Sequence, residues 1–227
     1  MKKKILVIAP HPDDEVLGAG GILYKSKNFG YKTKVITICT NFPPPLEKKK
    51  LNNCIKEAKE AHKVLKIDES VFFNIPALTL QNESTKILTD RIYNEIKEFE
   101  PSIVLIPFPD MHQDHKTVFN LCSVVTRPKG IGKKISIVAC YEVPSATYYS
   151  APKIEPNFYP NWNIEITSSI KKKCDALNKY KSTLDRNEFA RSTRAINSLA
   201  MFRGSQVNFK FAESFYIIRF LSKNVLF

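Results

Sequence analysis

Along the first 140 residues, short continuous apolar runs alternate with segments of helical period. The runs at 4–9 (KILVIA), 33–39 (TKVITIC), 70–74, 102–107 (SIVLIP) and 135–141 (ISIVACY) predict strands buried on both faces. Between them the spacing predicts helices over 13–29, 47–66, 84–99 and 113–126. In the second of these, Ile55, Ala58, Ala61, His62 and Leu65 share one side. This alternation predicts an α/β fold, a Rossmann-like and mostly parallel sheet with helices on both faces. After residue 141 the pattern changes. Residues 142–163 are rich in Pro, Tyr and Asn and read as a long irregular segment, a kind that is usually functional or disordered. Further helices are expected at 168–184 and 188–203, and a last strand at 213–221. With 227 residues and 43% hydrophobic content, one core and one domain over 1–227 are expected. Its core would lie at 1–141, with pocket and C-terminal elements at 142–227.

The polar residues that interrupt this pattern are not scattered. The chain has four histidines, and three of them fall in two clusters at strand ends. His11-Pro12-Asp13-Asp14-Glu15 follows the first strand, and Pro109-Asp110-Met111-His112-Gln113-Asp114-His115 follows the run at 102–107. Ligands of parallel sheets bind outside the carboxyl ends of the strands, so both clusters lie on one edge and converge if their strands are neighbours. A catalytic zinc takes about three His or carboxylate ligands and leaves a position for water. His11, Asp14 and His115 would supply such a set. Asp13 would accept the proton of the water, and His112 would stabilise the oxyanion and protonate the leaving group, oriented by Asp114 or Asp110. That is metal-assisted hydrolysis of an amide or ester.

Each feature also has a plainer reading. Acidic residues after a proline suit a helix start and its dipole, which alone would produce Pro12-Asp13-Asp14-Glu15. It does not account for His11 or for the second cluster. Leu17-Gly18-Ala19-Gly20-Gly21 lacks the spacing of a phosphate loop, and close packing of the helix on the sheet is the expected reason for its glycines. His62 sits among Lys and Glu and is expected at the surface or its boundary.

Composition narrows the function classes. Five widely spaced cysteines contain no CxxC pair, so no disulfide framework or cysteine zinc site is indicated, which suits a reducing cytosol. The net charge of +13 comes from dispersed lysines, without a basic tail or aromatic-interleaved motif. A solvated basic surface is expected rather than a nucleic-acid face, although a basic binding module with a structural metal is the alternative from another class. Lys2–Lys4 and the five apolar residues after them imitate a signal peptide but are too short for one. No run approaches the ~20 apolar residues of a membrane span, so a cytoplasmic protein is expected.

The residues of these clusters resemble a known family, the PIG-L/LmbE-like zinc-dependent N-acetyl-sugar deacetylases. The resemblance covers ILVIAPHPDDEVLGAGG at 5–21 and PFPDMHQDH at 107–115. Weaker stretches are IKEAKEAHKVL at 55–65, YEVPSAT at 141–147, KKKCDALNKYKS at 171–182 and RGSQVNFKFAESF at 203–215. It implies hydrolytic removal of acetyl from an N-acetylglucosamine-type sugar or glycoconjugate, with one Zn2+ per chain; Fe2+ suits the same ligands. It implies His11, Asp14 and His115 as zinc ligands, Asp13 as general base, and His112 with its partner Asp114 at the tetrahedral intermediate. The choice of Asp14 over Asp13 as ligand rests mainly on it. Glu15 and Asp110 would support these residues from behind. The pathway would be glycoconjugate, thiol-precursor or antibiotic biosynthesis, and a larger acyl group or a non-sugar amide is the alternative within the enzyme class.

The chain departs from the family in three places. Asn53 and Cys54 stand where many relatives carry a substrate-contacting arginine. Lys66 and Asn208 stand where glycines are usual. Arg191, Arg194 and Arg203 could supply the missing charge to an anionic substrate, the first two being expected at the surface. Tyr148, Tyr149, Trp162 and Phe42 could stack on a sugar ring or simply pack. A homo-oligomer is compatible with the sequence.

Overall fold

The first apolar run forms β1 (Lys4–Ala9), and its alternate side chains enter different cores because successive strand residues point to opposite faces. The structure, a computed structural model, describes residues 3–41, 48–151, 156–183 and 189–222, with backbone alone at 41 and 48–52. In chain order β1 is followed by α1 (Asp14–Ser26), β2 (Lys32–Asn41), α2 (Lys48–Leu65), β3 (Glu69–Pro76) and α3 (Thr85–Phe99). Then come β4 (Ile103–Pro107), α4 (Gln113–Val125), β5 (Ile137–Tyr141), β6 (Trp162–Glu165), α5 (Ile170–Leu177), α6 (Thr193–Ser205) and β7 (Ala212–Phe220).

These strands form one seven-stranded sheet in the order β3-β2-β1-β4-β5-β7-β6. The first five are parallel; β7 runs antiparallel to β5, and β6 antiparallel to β7. Leu6 and Ile8 face the core under α3 and α4, with Leu88, Ile92, Val118 and Leu121. Ile5 and Val7 face the core under α1, α2 and α5, with Leu17, Leu23, Ala61 and Leu177. Full burial of each such side chain stabilises the fold by roughly 1.5–3 kcal/mol. The expected mostly parallel sheet, covered on both faces, is the observed one.

The topology decides where a ligand can sit. From β1 the chain passes to β2 on one side, while β4 lies on the other. The strand order therefore reverses between β1 and β4, and the crevice of an α/β sheet opens at such a point. The two polar clusters leave the carboxyl ends of these two neighbouring strands.

Several boundaries differ from the sequence reading. The first helix ends at Ser26 and continues as one tight 3-10 turn, closed by left-handed Gly30 (φ 73°). The helix expected at 168–184 spans only Ile170–Leu177. The last helix starts at Thr193, where Ser192 caps it by accepting from Ala195 N–H at 3.1 Å. β6 starts in the last two residues of the segment read as irregular and runs two residues past it; it has four half-buried residues, too few to show a period.

The glycines of α1 are there for close approach. A Cβ on Gly18 would stand 2.1 Å from the Tyr141 ring, and one on Gly21 would stand 2.9 Å from the Glu213 carboxyl carbon. Through that gap Glu213 accepts the Gly21 and Ile22 N–H groups, both at 2.7 Å, and pairs with Lys173 at 2.7 Å. Lys66 and Asn208, where the resemblance leads glycine to be expected, are both left-handed, with φ 57° and 60°.

Candidate active site

Asp13 turns the chain from β1 into α1. Its φ of 107° is strained for a residue with a Cβ, and its carbonyl accepts the first helical bonds, from Val16 and Leu17 N–H at 3.0 and 2.8 Å. The turn holds His11 outside the helix and places Asp14 and Glu15 in its first turn. The helix-start reading and the functional reading therefore describe the same residues.

Asp14 is the centre of the site. Its Oδ2 lies 3.2 Å from His11 Nδ1 and 3.3 Å from His115 Nε2, and it also accepts the His11 N–H at 2.9 Å. His115 comes from the first turn of α4, so strand order and helix start together deliver it. The far nitrogen of each imidazole meets a carboxylate: His11 Nε2 donates to Asp114 Oδ2 at 2.9 Å, and His115 Nδ1 donates to Asp110 Oδ2 at 3.0 Å. Such partners fix ring orientation and tautomer, leaving His11 Nδ1 and His115 Nε2 to face Asp14. Asp110 is fixed in turn by the His112 N–H (2.9 Å) and the Thr147 hydroxyl (3.0 Å), and Asp114 by the Leu78 N–H (2.8 Å).

One expected pairing is corrected. Asp114 does not reach the His112 ring with its carboxylate, which is engaged by His11 and Leu78. It is the Asp114 N–H that donates to His112 Nδ1, at 3.2 Å, because His112 is the N-cap of α4. The cap leaves Nε2 as the protonated nitrogen. Burial and the neighbouring His11 and His115 push the His112 pKa down to about 4, so the ring is neutral.

The surroundings are unusually acidic for a buried place. Asp13, Asp14, Glu15, Asp110 and Asp114 are each at most 1% exposed. Burial opposes the charge of Asp14, but His115 and His11 hold its pKa well below the ordinary carboxylate range. Burial likewise disfavours charge on His115, yet Asp14 and Asp110 carry its pKa up to about 10. Among the described residues Asp14 Oδ1, His115 Nε2 and both Asp13 oxygens are buried without a hydrogen-bond partner. Such a concentration of anionic donors suits a cation.

Ring nitrogens of His11, His112 and His115 also lie within 4.8 Å of one another. A second group, with the same mutual spacing, combines His11, Asp114 and Cys39. Cys39, at the end of β2, was not singled out in the sequence, and burial pushes its thiol pKa far up.

The Asp13 carboxylate makes no hydrogen bond to this donor set. Burial pushes its pKa up to about 7 against the pull of Arg191, whose Nη1 lies 3.8 Å from Asp13 Oδ2. Arg191, expected at the surface, therefore faces the site; its Nε donates to Ser145 Oγ at 3.4 Å. Arg203 is buried instead and forks onto Glu142, at 3.0 and 2.7 Å, beside the Tyr148 hydroxyl. Trp162 packs on Phe215, with ring centroids 5.1 Å apart, while Tyr149 is exposed. Phe42 lies outside the described residues.

His62 is the clearest correction. It is 3% exposed, between Ser70 Oγ (2.7 Å from Nδ1) and Glu15 Oε1 (3.3 Å from Nε2). Its place on the apolar side of α2, with Ala58, Ala61 and Leu65, was the signal; the Lys and Glu around it belong to the other side. Cys54 is buried, with Sγ 3.5 Å from Ser182 Oγ.

Residues 6–126 match the family described as PIG-L: GlcNAc-PI de-N-acetylase. Solved structures share the whole fold at low identity. One is an N,N'-diacetylchitobiose deacetylase from Pyrococcus horikoshii, with 20% identity, TM-score 0.75, and 95% of this chain and 84% of that one covered. Another is the A40926 pseudoaglycone deacetylase Dbv21, with 17% identity, TM-score 0.77, and coverage of 98% and 100%. A third is GalB, a 4-carboxy-2-hydroxymuconate hydratase from Pseudomonas putida KT2440, with 19% identity, TM-score 0.78, and coverage of 98% and 99%. At such identities the likeness extends to the fold alone, and the hydratase makes clear that chemistry must be argued from the site.

Proposed function

The chain belongs to the PIG-L (GlcNAc-PI de-N-acetylase) family, and on that premise we propose that it is a zinc-dependent hydrolase. It removes acetyl from the amide nitrogen of an N-acetylglucosamine-type sugar, free or in a glycoconjugate. His11, Asp14 and His115 hold the metal. The observation that carries this reading is Asp14 Oδ2 lying between His11 Nδ1 and His115 Nε2, at 3.2 and 3.3 Å, with a carboxylate behind each ring. Two nitrogens and one oxygen, with a position left for water, are the donor set of a hydrolytic zinc site. A zinc ion held there supplies Lewis acidity and lowers the pKa of its bound water towards 7.

The remaining work falls to the chain. Asp13 accepts the proton of the attacking water, and its pKa near neutrality suits that task. The His112 Nε2–H, aimed outward by the helix cap, donates to the oxyanion of the tetrahedral intermediate. The proton held on Asp13 then passes to the sugar nitrogen as the C–N bond breaks, giving acetate and the free amine. Asp114 acts through His11 and Asp110 through His115, as supports for the ligands rather than for His112. Arg191 flanks the base and faces the part of the substrate next to the reacting amide.

The test is a panel of N-acetyl sugars with acetate readout, on protein loaded with one equivalent of Zn2+ and on the same protein after chelation. Acetate release that chelation abolishes and Zn2+ restores is expected. Undiminished release from metal-free protein would overturn the metal's role. Release from larger N-acyl or non-sugar amides alone would replace acetyl-sugar by that substrate class.

A further inference from the structure

We propose that His62 is a positioning residue for the base: through Glu15 it holds the Asp13 backbone in the left-handed turn that aims the carboxylate at the substrate. The proposal rests on the function argued above, since it takes Asp13 as the proton acceptor.

The observations form one buried chain. Asp13 adopts φ 107°, a conformation that is strained for a non-glycine residue and persists only when surrounding contacts over-determine it. Its own N–H is held by Glu15 Oε2 at 3.2 Å. The other oxygen of Glu15 accepts the Tyr180 hydroxyl and faces His62 Nε2 at 3.3 Å. Glu15, His62 and Tyr180 are all at most 3% exposed. The 3.3 Å approach of His62 Nε2 to Glu15 is off hydrogen-bond alignment and Nε2 has no other partner among the described residues, while Nδ1 and the Ser70 hydroxyl lie 2.7 Å apart. The proposal requires the proton on Nε2, because a carboxylate only accepts. Phe72 stacks on the ring, with centroids 6.1 Å apart and planes 9° from parallel.

The arrangement connects three elements that carry none of the metal donors. His62 comes from α2, Ser70 and Phe72 from β3, and Tyr180 from the turn after α5. Without the His62 ring nitrogen, Glu15 keeps its hydrogen bonds from the Tyr180 hydroxyl and the Asp13 N–H but loses the polar group 3.3 Å from Oε1 that confines its carboxylate on the α2 side. The Asp13 N–H then loses a rigid acceptor. Asp14 lies one residue further along, already inside the helix, and keeps its contacts to His11 and His115. Loss of His62 therefore lowers the rate of the chemical step while leaving metal and substrate in place. A small displacement of a catalytic group is enough for such an effect.

His62→Phe keeps the ring and its stacking on Phe72 and removes the donor. With the best N-acetyl sugar from the panel, kcat is expected to fall by about tenfold or more. KM should stay within threefold and zinc content near one per chain. His62→Gln, whose amide can donate from a similar place, should recover part of the loss. Ser70→Ala, at an exposed position that leaves folding intact, should lower kcat by a smaller factor of about two to five. Histidine-selective 15N spectra of the native protein supply a readout independent of turnover. They should contain one Nε2-protonated imidazole whose signal is lost in His62→Phe and broadened or shifted in Ser70→Ala.

A His62→Phe enzyme with native kcat, or one in which KM, zinc content and kcat fall together, would overturn the positioning role. So would a native spectrum with His62 protonated on Nδ1. Should the native protein release acetate from no substrate, the proposed function fails, and the spectra still decide whether the His62–Glu15 contact exists.

Discussion

The two ends of α1 carry opposite chemistry. At its N-terminus five carboxylates and three imidazoles are packed at the sheet's switch point, most of them out of contact with solvent. Ten residues further along, about 15 Å by helical rise, Tyr24 borders a hollow of 580 Å³ lined by Lys63, Lys66, Lys172 and Lys179. The lysines there stay solvated: Lys63 is 73% exposed. A net charge of +13 thus describes the outer surface, while the chemistry sits in an acidic interior. Buried charges must be paired or bind a counter-ion, whereas solvated ones need neither, so the interior end is the one whose residues cannot be exchanged freely.

Substitutions at the acidic end should have the larger effects. His115→Ala removes a donor and leaves Asp110 and Asp14 buried without their shared partner; loss of stoichiometric zinc and a fall in turnover of at least ~10³ are expected. Metal analysis on the purified variant checks the first, and an acetate assay the second. Asp13→Asn should keep zinc and lose ~10²–10⁴ in turnover. Native-like turnover in that variant would remove Asp13 from the base role.

The same substitution also tests the electrostatics. The folded-state pKa of Asp13 is raised from the ordinary carboxylate value to about 7. Its protonation therefore favours the folded state at low pH, and that contribution is lost as pH rises through about 7. In metal-free protein at pH 8, Asp13→Asn should be more stable than native by on the order of 1–4 kcal/mol, and the difference should vanish near pH 4. Denaturant melts at the two pH values measure it; equal stability at pH 8 would mean that the site does not strain the carboxylate.

At the basic end the effects should be small. Replacing Lys63, Lys172 and Lys179 together by Gln should change kcat less than twofold, since exposed charges at that distance are largely screened. A tenfold change would couple the two ends and dissolve the contrast between them. Lys66→Gly relieves a left-handed lysine and loses its 5.6 Å approach to the Tyr24 ring. A gain of ~0.5–1 kcal/mol, read as a higher denaturant midpoint, is expected.

How much of this was legible in the sequence follows from local physics. The parallel strands were readable because runs such as Ile5–Ala9 are apolar on both faces, and the clusters could be placed because ligands collect at strand ends. Cluster convergence was conditional on β1 and β4 being neighbours, which no local pattern specifies. β6 was missed because four half-buried residues carry no period. The residues of the two clusters were visible as types and spacings; their partners were not. Which carboxylate backs which imidazole depends on rotamers set across the crevice, so Asp114 was assigned to His112 when it meets His11. At His62 period outweighs composition: its neighbours in sequence are charged, while its neighbours on the helix face are Ala58, Ala61 and Leu65. The places of Arg191 and Arg203 were not legible because where a lone arginine settles depends on finding an acid, here Asp13 and Glu142.

Glu213 carries a consequence for the order of assembly. Helix α1 is synthesised well before β7, yet two of its N–H groups are held by a carboxylate 192 and 191 residues downstream. The gap at Gly21 that admits this side chain leaves a groove in the helix until β7 joins the sheet. A nascent chain therefore carries both polar clusters out of the ribosome long before the helix that presents the first of them is fully braced. Competence for catalysis is acquired late, when the antiparallel strand closes behind β5, and a chain stalled before residue 212 would hold the residues of the site without the scaffold that aligns them.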